Sequence, residues 1–382
     1  MGRRLDCFVM RAFTASVPVW KNLLIPMDAL RKQIFWVAGG LCQSLSESRP
    51  RAYLLLAITC ALIGYLYLLL FPCLVVASAL GIYQSVNTGY SVVWDQLIIW
   101  LLAGTLSAKI SYCIFRLRPL QPDGKVLNST THPVLLQLIA DQSRYYCGPR
   151  VDRIVLSRDF ELDVLKIPRF VLPVWSTNTL VVGLPLLQCL SVQQFQCALA
   201  RRLGQSSKRY NRLGNWLYHL REIWPQYCGL ARMCGFGYQP IAWFYCIYAP
   251  LYKMITAPAA RLDELAADSY AMELFAGEEV LDTITTEMVC RCYLEEKYWP
   301  VVTKYAAKDH RILDKLQSGM TSVLRAGLHA NTLEHWIMSA LSTEEQCGNA
   351  MPSLTRRIDN IGFATASMGP LAAVPAAGVY LE

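Results

Sequence analysis

Three polar residues with a defined spacing stand out in the stretch Leu190–Gln205, which is otherwise rich in apolar residues. Arg201, Arg202 and Gln205 occupy positions i, i+1 and i+4, and residues four apart lie on one face of a helix. A guanidinium is always protonated and has no free lone pair, so it neither binds a metal ion nor accepts a proton from water. Glutamine is a poor zinc ligand. The triplet therefore predicts a helix face that cannot support metal-assisted hydrolysis.

The helix that carries this triplet has a well-marked start. Ser191 is a suitable N-cap, and Gln194 follows three residues later, as in a capping box. Apolar residues then recur at helical spacing, namely Phe195, Ala198, Leu199 and Leu203. Cys197 lies one turn before Arg201, but no histidine has a visible relation to it, so it is interpreted as an apolar helix residue.

The composition of the chain favours a membrane protein. Of its 382 residues, 54% are hydrophobic and 17% are charged, which is more apolar than usual for a purely soluble protein. The net charge of +8 includes no basic run interleaved with aromatic residues, so nucleic acid is not predicted as a partner. We expect the positive charge to face anionic lipid, with the bilayer as the main partner.

The 14 cysteines are scattered. None forms a C-x-x-C pair, and Cys290 and Cys292 are the closest two. Zinc ribbons and dithiol redox motifs need paired spacings that this chain lacks. A reducing compartment is the simplest interpretation.

Two apolar runs predict a transmembrane helical hairpin. Ala52–Tyr83 contains no charged residue, and Gln96–Phe115 is interrupted only by Lys109. Both runs have the length of a membrane-spanning helix. The basic residues Arg49, Arg51, Arg116 and Arg118 flank the pair, whereas the loop between the runs carries Asp95 alone. The positive-inside rule then predicts an inner or plasma membrane protein with both termini and the main domain in the cytosol. A buried helical hairpin in a soluble core is the alternative.

The remaining chain predicts an α+β fold that is predominantly α. We expect a basic N-terminal segment over 1–50, the hairpin over 51–118, a folded domain over 125–362 and an Ala/Gly/Pro-rich, weakly structured tail over 363–382. Predicted helices begin at Pro133 and Ser191, a third ends at Pro225, and a fourth covers Arg261–Ala276 with Gly277 as its C-cap. Short strands are predicted at Arg153–Ser157, Glu161–Lys166 and Thr179–Gly183.

Several of these segments, taken together and in order, resemble the membrane-anchored zinc metallopeptidases of family 48, the HtpX-like and CAAX prenyl protease group. The matching segments are Leu180–Leu187, Leu203-Gly204, Gly214–Trp216 and Glu264–Asp268. The resemblance implies a zincin-like (gluzincin) domain with a small sheet behind a two-helix membrane anchor. It also implies that Glu264 stands where the family has its third zinc ligand, and Asp268 where it has a supporting carboxylate.

The departures from the family pattern are equally specific. In the H-E-x-x-H motif the histidines bind zinc and the glutamate is the general base. Here Arg201 and Gln205 occupy the histidine positions and Arg202 the glutamate position, while Met351-Pro352 stands where the family often has His-Pro. No catalytic residue and no zinc are therefore expected at this site.

Loss of the ion would leave two anions in a partly buried place. Because unpaired buried carboxylates are costly, we predict that a guanidinium of Arg201 or Arg202 lies within hydrogen-bond distance of Glu264 or Asp268. The alternative is a pair of solvated arginines on the helix surface.

Three functions remain open on these grounds. The first is a non-catalytic relative of the peptidases that binds or regulates a polypeptide, with Leu180, Val182 and Gly183 on an exposed edge strand that pairs with an extended peptide. The second is an active zinc metalloendopeptidase with an unorthodox site. The third is a structural membrane subunit whose former cleft is filled by side chains.

Overall fold

The computed structural model of the chain describes residues 37–381, except 88–93, 117–120, 128–131, 169–175, 208–211, 234–235, 307–319, 344, 346–347, 364, 366–367, 369–370 and 372–374. Outside the described residues lie six basic residues of the predicted N-terminal segment (Arg3, Arg4, Arg11, Lys21, Arg31 and Lys32), the centre of the loop between the two apolar runs, Arg118 and His310. Residues 37–48 are helical and lead into the first long helix.

Two long apolar helices precede the folded domain. Helix α1 covers Pro50–Asn87 and helix α2 covers Trp94–Arg116. Both are long and apolar enough to cross a membrane. Pro72, which was expected to kink or end the first run, lies inside α1, and the helix continues for 15 residues beyond it. With a rise of 1.5 Å per residue, the 38 residues of α1 extend for about 57 Å, nearly twice the ~30 Å hydrocarbon core of a bilayer.

A four-stranded mixed sheet forms the centre of the domain. Its strands are β1 (Lys125–Val126), β2 (Arg153–Ser157), β3 (Leu162–Pro168) and β4 (Ser176–Gly183), in the order β1-β2-β4-β3. The strand β4 pairs in parallel with β2 and antiparallel with β3. The three predicted strands are confirmed within a few residues.

The prediction of an exposed edge at Leu180, Val182 and Gly183 is wrong. The strand β4 that contains these residues is hydrogen-bonded on both sides, and the side chains of Leu180 and Val182 are fully buried. The backbone N–H of Gly183 donates to the carbonyl oxygen of Glu161 at 2.7 Å. A continuous apolar run in a strand indicates burial on both faces, which is typical of an interior strand.

The rest of the domain is helical. In chain order the helices are α3 (Pro133–Tyr145), α4 (Leu184–Cys189), α5 (Val192–Gln205), α6 (Arg212–Met233), α7 (Gln239–Ile255), α8 (Ala257–Ala271), α9 (Gly277–Tyr293), α10 (Trp299–Ala306), α11 (Met320–Gly327), α12 (Ala330–Ser342), α13 (Leu354–Ile361) and α14 (Ala376–Tyr380). The 3₁₀ turn Phe236–Tyr238 precedes α7, and the π turn Leu294–Tyr298 joins α9 to α10. The predominantly α, α+β class is confirmed, with two candidate membrane helices ahead of the sheet.

Two apolar cores hold these elements together. The larger core lies between the sheet and the helices α4, α5, α9 and α11–α13. The smaller core joins α1 and α2 to α6 and α7 through an aromatic cluster centred on Trp224. The domain is therefore packed directly onto both helices of the candidate membrane anchor.

Several local expectations were wrong for identifiable reasons. Pro225 does not end a helix but lies inside α6, where neighbouring helices supply the packing that outweighs its local cost. Gly277 is not a C-cap, because α8 ends at Ala271 and Gly277 begins α9. The tail, expected to be weakly structured, contains α14, whose Tyr380 accepts a hydrogen bond from Gln196 at 2.9 Å.

One pair of cysteines departs from the expectation of a uniformly reduced protein. Cys228 on α6 and Cys246 on α7 form a disulfide across 18 residues of sequence. The bond ties the two antiparallel helices together inside the aromatic cluster. An environment that keeps every thiol of the chain reduced is inconsistent with this bond.

Two helical glycines give a matched test of the packing between α1 and α6. A Cβ atom at Gly64 would lie 2.6 Å from Cζ2 of Trp224, whereas nothing lies within 4 Å of a Cβ atom at Gly229. We predict that Gly64→Ala lowers the free energy of unfolding by about 1–3 kcal/mol through overpacking. We predict that Gly229→Ala leaves it unchanged or raises it by up to about 1 kcal/mol, because alanine favours helix. Denaturation of the full chain in lipid nanodiscs measures both, and equal effects would contradict the predicted contact.

Candidate functional site

The candidate site lies where α5 packs against α8. The N-terminus of α5 is fixed by a complete capping box, in which Ser191 Oγ accepts from the N–H of Gln194 and Gln194 Oε1 accepts from the N–H of Ser191. The amide of Gln194 also donates to Asp282 at 2.6 Å, which ties the start of α5 to α9. These contacts set the rotation of α5 and so the direction in which its arginines point.

Arg201 lies at the centre of the site. Its side chain is 1% exposed. Nε donates to Asp268 Oδ1 at 2.9 Å and Nη1 donates to Glu287 Oε2 at 2.9 Å. Nη2 lies 3.8 Å from Glu264 Oε2. One guanidinium therefore joins α5 to carboxylates on both α8 and α9.

Arg202 and Gln205 enclose the other oxygen of Glu264. Nη1 of Arg202 donates to Glu264 Oε1 at 2.7 Å and to Gln205 Oε1 at 2.9 Å. Nε2 of Gln205 and the hydroxyl of Tyr218 each donate to Glu264 Oε1 at 3.3 Å. The predicted pairing of Arg201 or Arg202 with Glu264 or Asp268 is thus confirmed for both arginines, and the alternative of solvated arginines is wrong.

A third arginine completes the site, and sequence reasoning missed it. Arg357 on α13 binds Asp268 in a bidentate pair, with Nε 2.8 Å from Oδ2 and Nη2 2.6 Å from Oδ1. A signal was present, because Arg357 shares a helix face with the buried Leu354 and Ile358. An arginine on an apolar helix face indicates a buried ion pair. Glu287 was missed in the same way, on the buried face of α9 with Val280 and Ile284.

We call these six charged side chains the ion cluster: Arg201, Arg202, Arg357, Glu264, Asp268 and Glu287. Their formal charges balance. Burial of charged groups in a medium of low polarity is costly unless each is paired and hydrogen-bonded. The cluster meets the pairing requirement by distributing three guanidiniums over three carboxylates. Glu264 Oε2 is the exception for hydrogen bonding, since it is buried, lies 3.8 Å from Arg201 Nη2 and has no hydrogen-bond partner among the described residues.

The pKa values reflect this balance. Burial alone would raise the pKa of Glu264, but the charges of Arg202, Arg201 and Arg357 outweigh it and lower that pKa to about 2. Burial acts to lower the pKa of Arg201, but the neighbouring carboxylates, Asp268 first among them, raise it above its usual range. Glu264 and Arg201 therefore remain ionised at neutral pH.

These residues do not fit a zinc ion. A hydrolytic zinc site needs three lone-pair donors and an open position, whereas both carboxylates from α8 already face guanidinium nitrogens. Within the part of the chain that the structure describes, no group of three or more His, Cys, Asp and Glu side chains is arranged to hold a metal. Among the described histidines, none bonds to Glu264 or Asp268. Met351 and Pro352 line a separate cleft of about 340 Å³ beside Met288 and Cys292.

Two further titratable side chains, Cys197 on α5 and His219 on α6, are buried. Cys197, expected to be an apolar helix residue, is fully buried, and burial raises the pKa of its thiol to about 12. His219 on α6 is buried, and burial, followed by the positive charge of Lys166, lowers its pKa to about 3. Its Nε2 has no hydrogen-bond partner.

No family model, no curated protein and no solved structure matches this chain. The resemblance to the family 48 peptidases therefore remains a prediction from the quoted motifs.

The ion cluster predicts a strong effect of removing its central charge. Arg201→Met leaves Asp268, Glu264 and Glu287 short of a partner, so we expect the free energy of unfolding to fall by roughly 3–5 kcal/mol. The control is Arg144→Met, since Arg144 is 83% exposed and pairs with Asp141 at 3.8 Å, for an expected loss below about 1 kcal/mol. A loss in the Arg201 variant no larger than in the control would show that the cluster does not stabilise the fold.

His219 predicts a specific pH dependence of stability. Its pKa is about 3 in the folded protein against an ordinary value of 6.5, so the unfolded chain binds the extra proton as the pH falls below 6.5. Stability is therefore lost with decreasing pH, by about 2 kcal/mol between pH 6.5 and 5. The paired Glu264 contributes a further loss only below its ordinary pKa of 4.5.

His219→Gln should flatten the stability profile between pH 6.5 and 5, because the titrating group is absent. The same substitution at the exposed His335, His335→Gln, is the matched control for replacing a histidine by glutamine. Denaturant unfolding in nanodiscs at half-unit pH steps measures the slope. An unaltered slope in the His219 variant would contradict the burial of an uncharged imidazole.

Proposed function

We propose that this protein is a membrane-anchored, non-catalytic relative of the family 48 zinc metallopeptidases, which binds or regulates a polypeptide partner. The observation that supports the loss of catalysis is the pairing of Arg201 and Arg202 with Glu264. Guanidinium groups lie beside Glu264, the carboxylate that stands at the position of the third zinc ligand in the family. We infer that neither a zinc ion nor a general base that activates water is accommodated beside Glu264.

Polypeptide binding, if it follows the strand-addition mode, would use β3 rather than the strand first expected. Among the described strands, β3 pairs only with β4 and so forms one edge of the sheet. It also contacts α5, the helix that carries Arg201 and Arg202. The charge of Asp163 on β3 is one of those that raise the pKa of Arg202. An extended peptide on this edge would therefore run past the former catalytic centre.

A structural membrane subunit is the second candidate. It is favoured by the side chains of Arg202, Gln205 and Tyr218, which surround Glu264 and form hydrogen bonds there.

The two candidate functions predict different amide exchange in β3. Strand addition predicts slow amide exchange of β3 in native membranes and faster exchange in the purified protein, whereas a structural subunit predicts no such difference.

The loss of the metal site is tested by restoring it. We expect the wild type to contain no stoichiometric zinc and to cleave no peptide. The triple variant Arg201→His, Arg202→Glu, Gln205→His should bind zinc through the two histidines and Glu264, because this set supplies three ligands. Metal analysis of the purified full chain and a peptide-cleavage assay measure both properties.

The matched control replaces the same three residues by alanine, which removes the same ion pairs without supplying ligands. It should bind no zinc. Stoichiometric zinc in the wild type, lost on Glu264→Ala and accompanied by chelator-sensitive cleavage, would instead establish an active enzyme with an unorthodox site.

A further inference from the structure

A cleft of about 340 Å³ lies between the C-terminal part of α9, with the π turn that follows it, and the loop that leads from α12 into α13. This volume is at the lower end of the range found for small-ligand sites. The cleft is separate from the ion cluster, but each of its two walls leads to a member of that cluster. Met288 directly follows Glu287, and Ser353 is the N-cap of α13, which carries Arg357.

Part of the lining of the cleft is apolar. It is formed by Met288 on α9, Ala340 on α12, and Met351 and Pro352 on the loop. Methionine side chains are unbranched and adapt to irregular apolar shapes. This part of the lining therefore suits a flexible alkyl chain.

The polar part of the lining contains a carboxylate whose charge is not paired with a cation. Glu296 Oε1 accepts from the hydroxyl of Ser339 at 2.9 Å and from the thiol of Cys292 at 3.5 Å, and both donors are neutral. Across the part of the chain that the structure describes, no basic side chain forms an ion pair with Glu296. Because Glu296 is exposed, a ligand that enters the cleft can reach this carboxylate.

The other charged groups of the lining are already offset. The carboxylate of Glu345 faces the guanidiniums of Arg261 at 2.9 Å and Arg356 at 3.5 Å. Arg291 and Glu295 carry opposite charges, so together they add no net charge to the cleft. A cationic ligand is therefore favoured over an anion, which the unpaired carboxylate would repel.

The loop wall of the cleft is held in place by hydrogen bonds at three points. Glu345 Oε1 accepts from the N–H of Ser353 at 3.2 Å, and Asn349 Oδ1 accepts from the N–H of Met351 at 3.3 Å. Between them, the carbonyl oxygen of Gly348 accepts from a guanidinium nitrogen of α6 at 2.7 Å. A cleft with fixed walls needs little ordering when a ligand binds, which favours affinity.

We propose that the cleft binds a primary alkylammonium group, with the charge beside Glu296 and the alkyl chain against Met288 and Met351. An ammonium is a compact cation with three N–H donors, so it suits a site with several oxygen acceptors. The hydroxyl oxygen of Thr343 and the amide oxygen of Asn349 line the same cleft as that carboxylate. The proposal goes beyond the proposed function and does not rest on it, because the loss of the zinc site and the edge of β3 involve other residues.

Two sources can supply this chemistry, a lysine side chain of a polypeptide and a free aliphatic amine. Both carry an ammonium group on a flexible alkyl chain. A ligand that bridges the two walls would stabilise the helices that hold Glu287 and Arg357, so its binding would reinforce two arms of the ion cluster.

The proposal is tested by NMR on the full chain in nanodiscs of zwitterionic lipid, labelled with ¹³C at the methionine methyl groups and titrated with n-butylammonium chloride. We expect saturable shifts of the Met288 and Met351 methyl resonances and none of Met338, which is 61% exposed and does not line the cleft. Neutral 1-butanol should bind at least about tenfold more weakly, because it does not pair with a carboxylate. Equal affinity for the amine and the alcohol, or no saturable shift at Met288 and Met351, would overturn the proposal.

A matched pair of variants locates the charge. Glu296→Gln should weaken n-butylammonium binding by about tenfold, whereas Glu334→Gln, at an exposed glutamate of α12 outside the cleft, should leave it unchanged. Undiminished affinity in the Glu296 variant would place the ammonium elsewhere and overturn the proposal. The comparison of amine with alcohol uses the unaltered chain, so it decides the question even where a variant fails to fold.

A third ligand, Nα-acetyl-lysine N-methylamide, distinguishes the two sources. Tighter binding of this ligand than of n-butylammonium supports the lysine side chain of a polypeptide as the occupant. Equal or weaker binding supports a free aliphatic amine, and binding of neither ligand would overturn both.

Discussion

The ion cluster depends on one electrostatic constraint, which is that Glu264 and Asp268 are almost fully buried and must be neutralised. Arg201 meets both carboxylates at once and extends to Glu287, so that α5, α8 and α9 share a single guanidinium. Arg357 brings α13 to the same point. Four helices are therefore held in register by charges that would each be unfavourable alone.

Much of the local structure around this cluster could be predicted, because its signals are local. The capping box of Ser191 and Gln194 fixes the start of α5, and the apolar stripe behind it fixes the buried face. Once that face is known, the direction of Arg201 follows from helical spacing. Pairing with the carboxylates of α8 then follows from the cost of leaving them unpaired.

Three of the misses depended on contacts between distant parts of the chain. Pro225 remains helical because Trp224 and the disulfide beside it are packed between α1 and α7, which no window of sequence around the proline reveals. The position of β4 inside the sheet depends on which strands pair with it. The sequences of short strands do not reveal their order in the sheet. Arg357 is separated from Asp268 by 89 residues, so its role emerges only when α13 is docked.

The same electrostatics make the arginine arrangement hard to reverse in single steps. Replacing Arg201 by histidine would supply one zinc ligand but would leave Asp268 with Arg357 alone and Glu287 without its partner. Replacing Arg202 by glutamate would set a third carboxylate beside Glu264 and Asp263, and like charges in such proximity are strongly unfavourable. Only the simultaneous exchange of guanidiniums for a divalent cation keeps the charge balanced at each carboxylate. The arginines are therefore tied to the stability of the fold, and selection acting on the fold alone would be enough to maintain them.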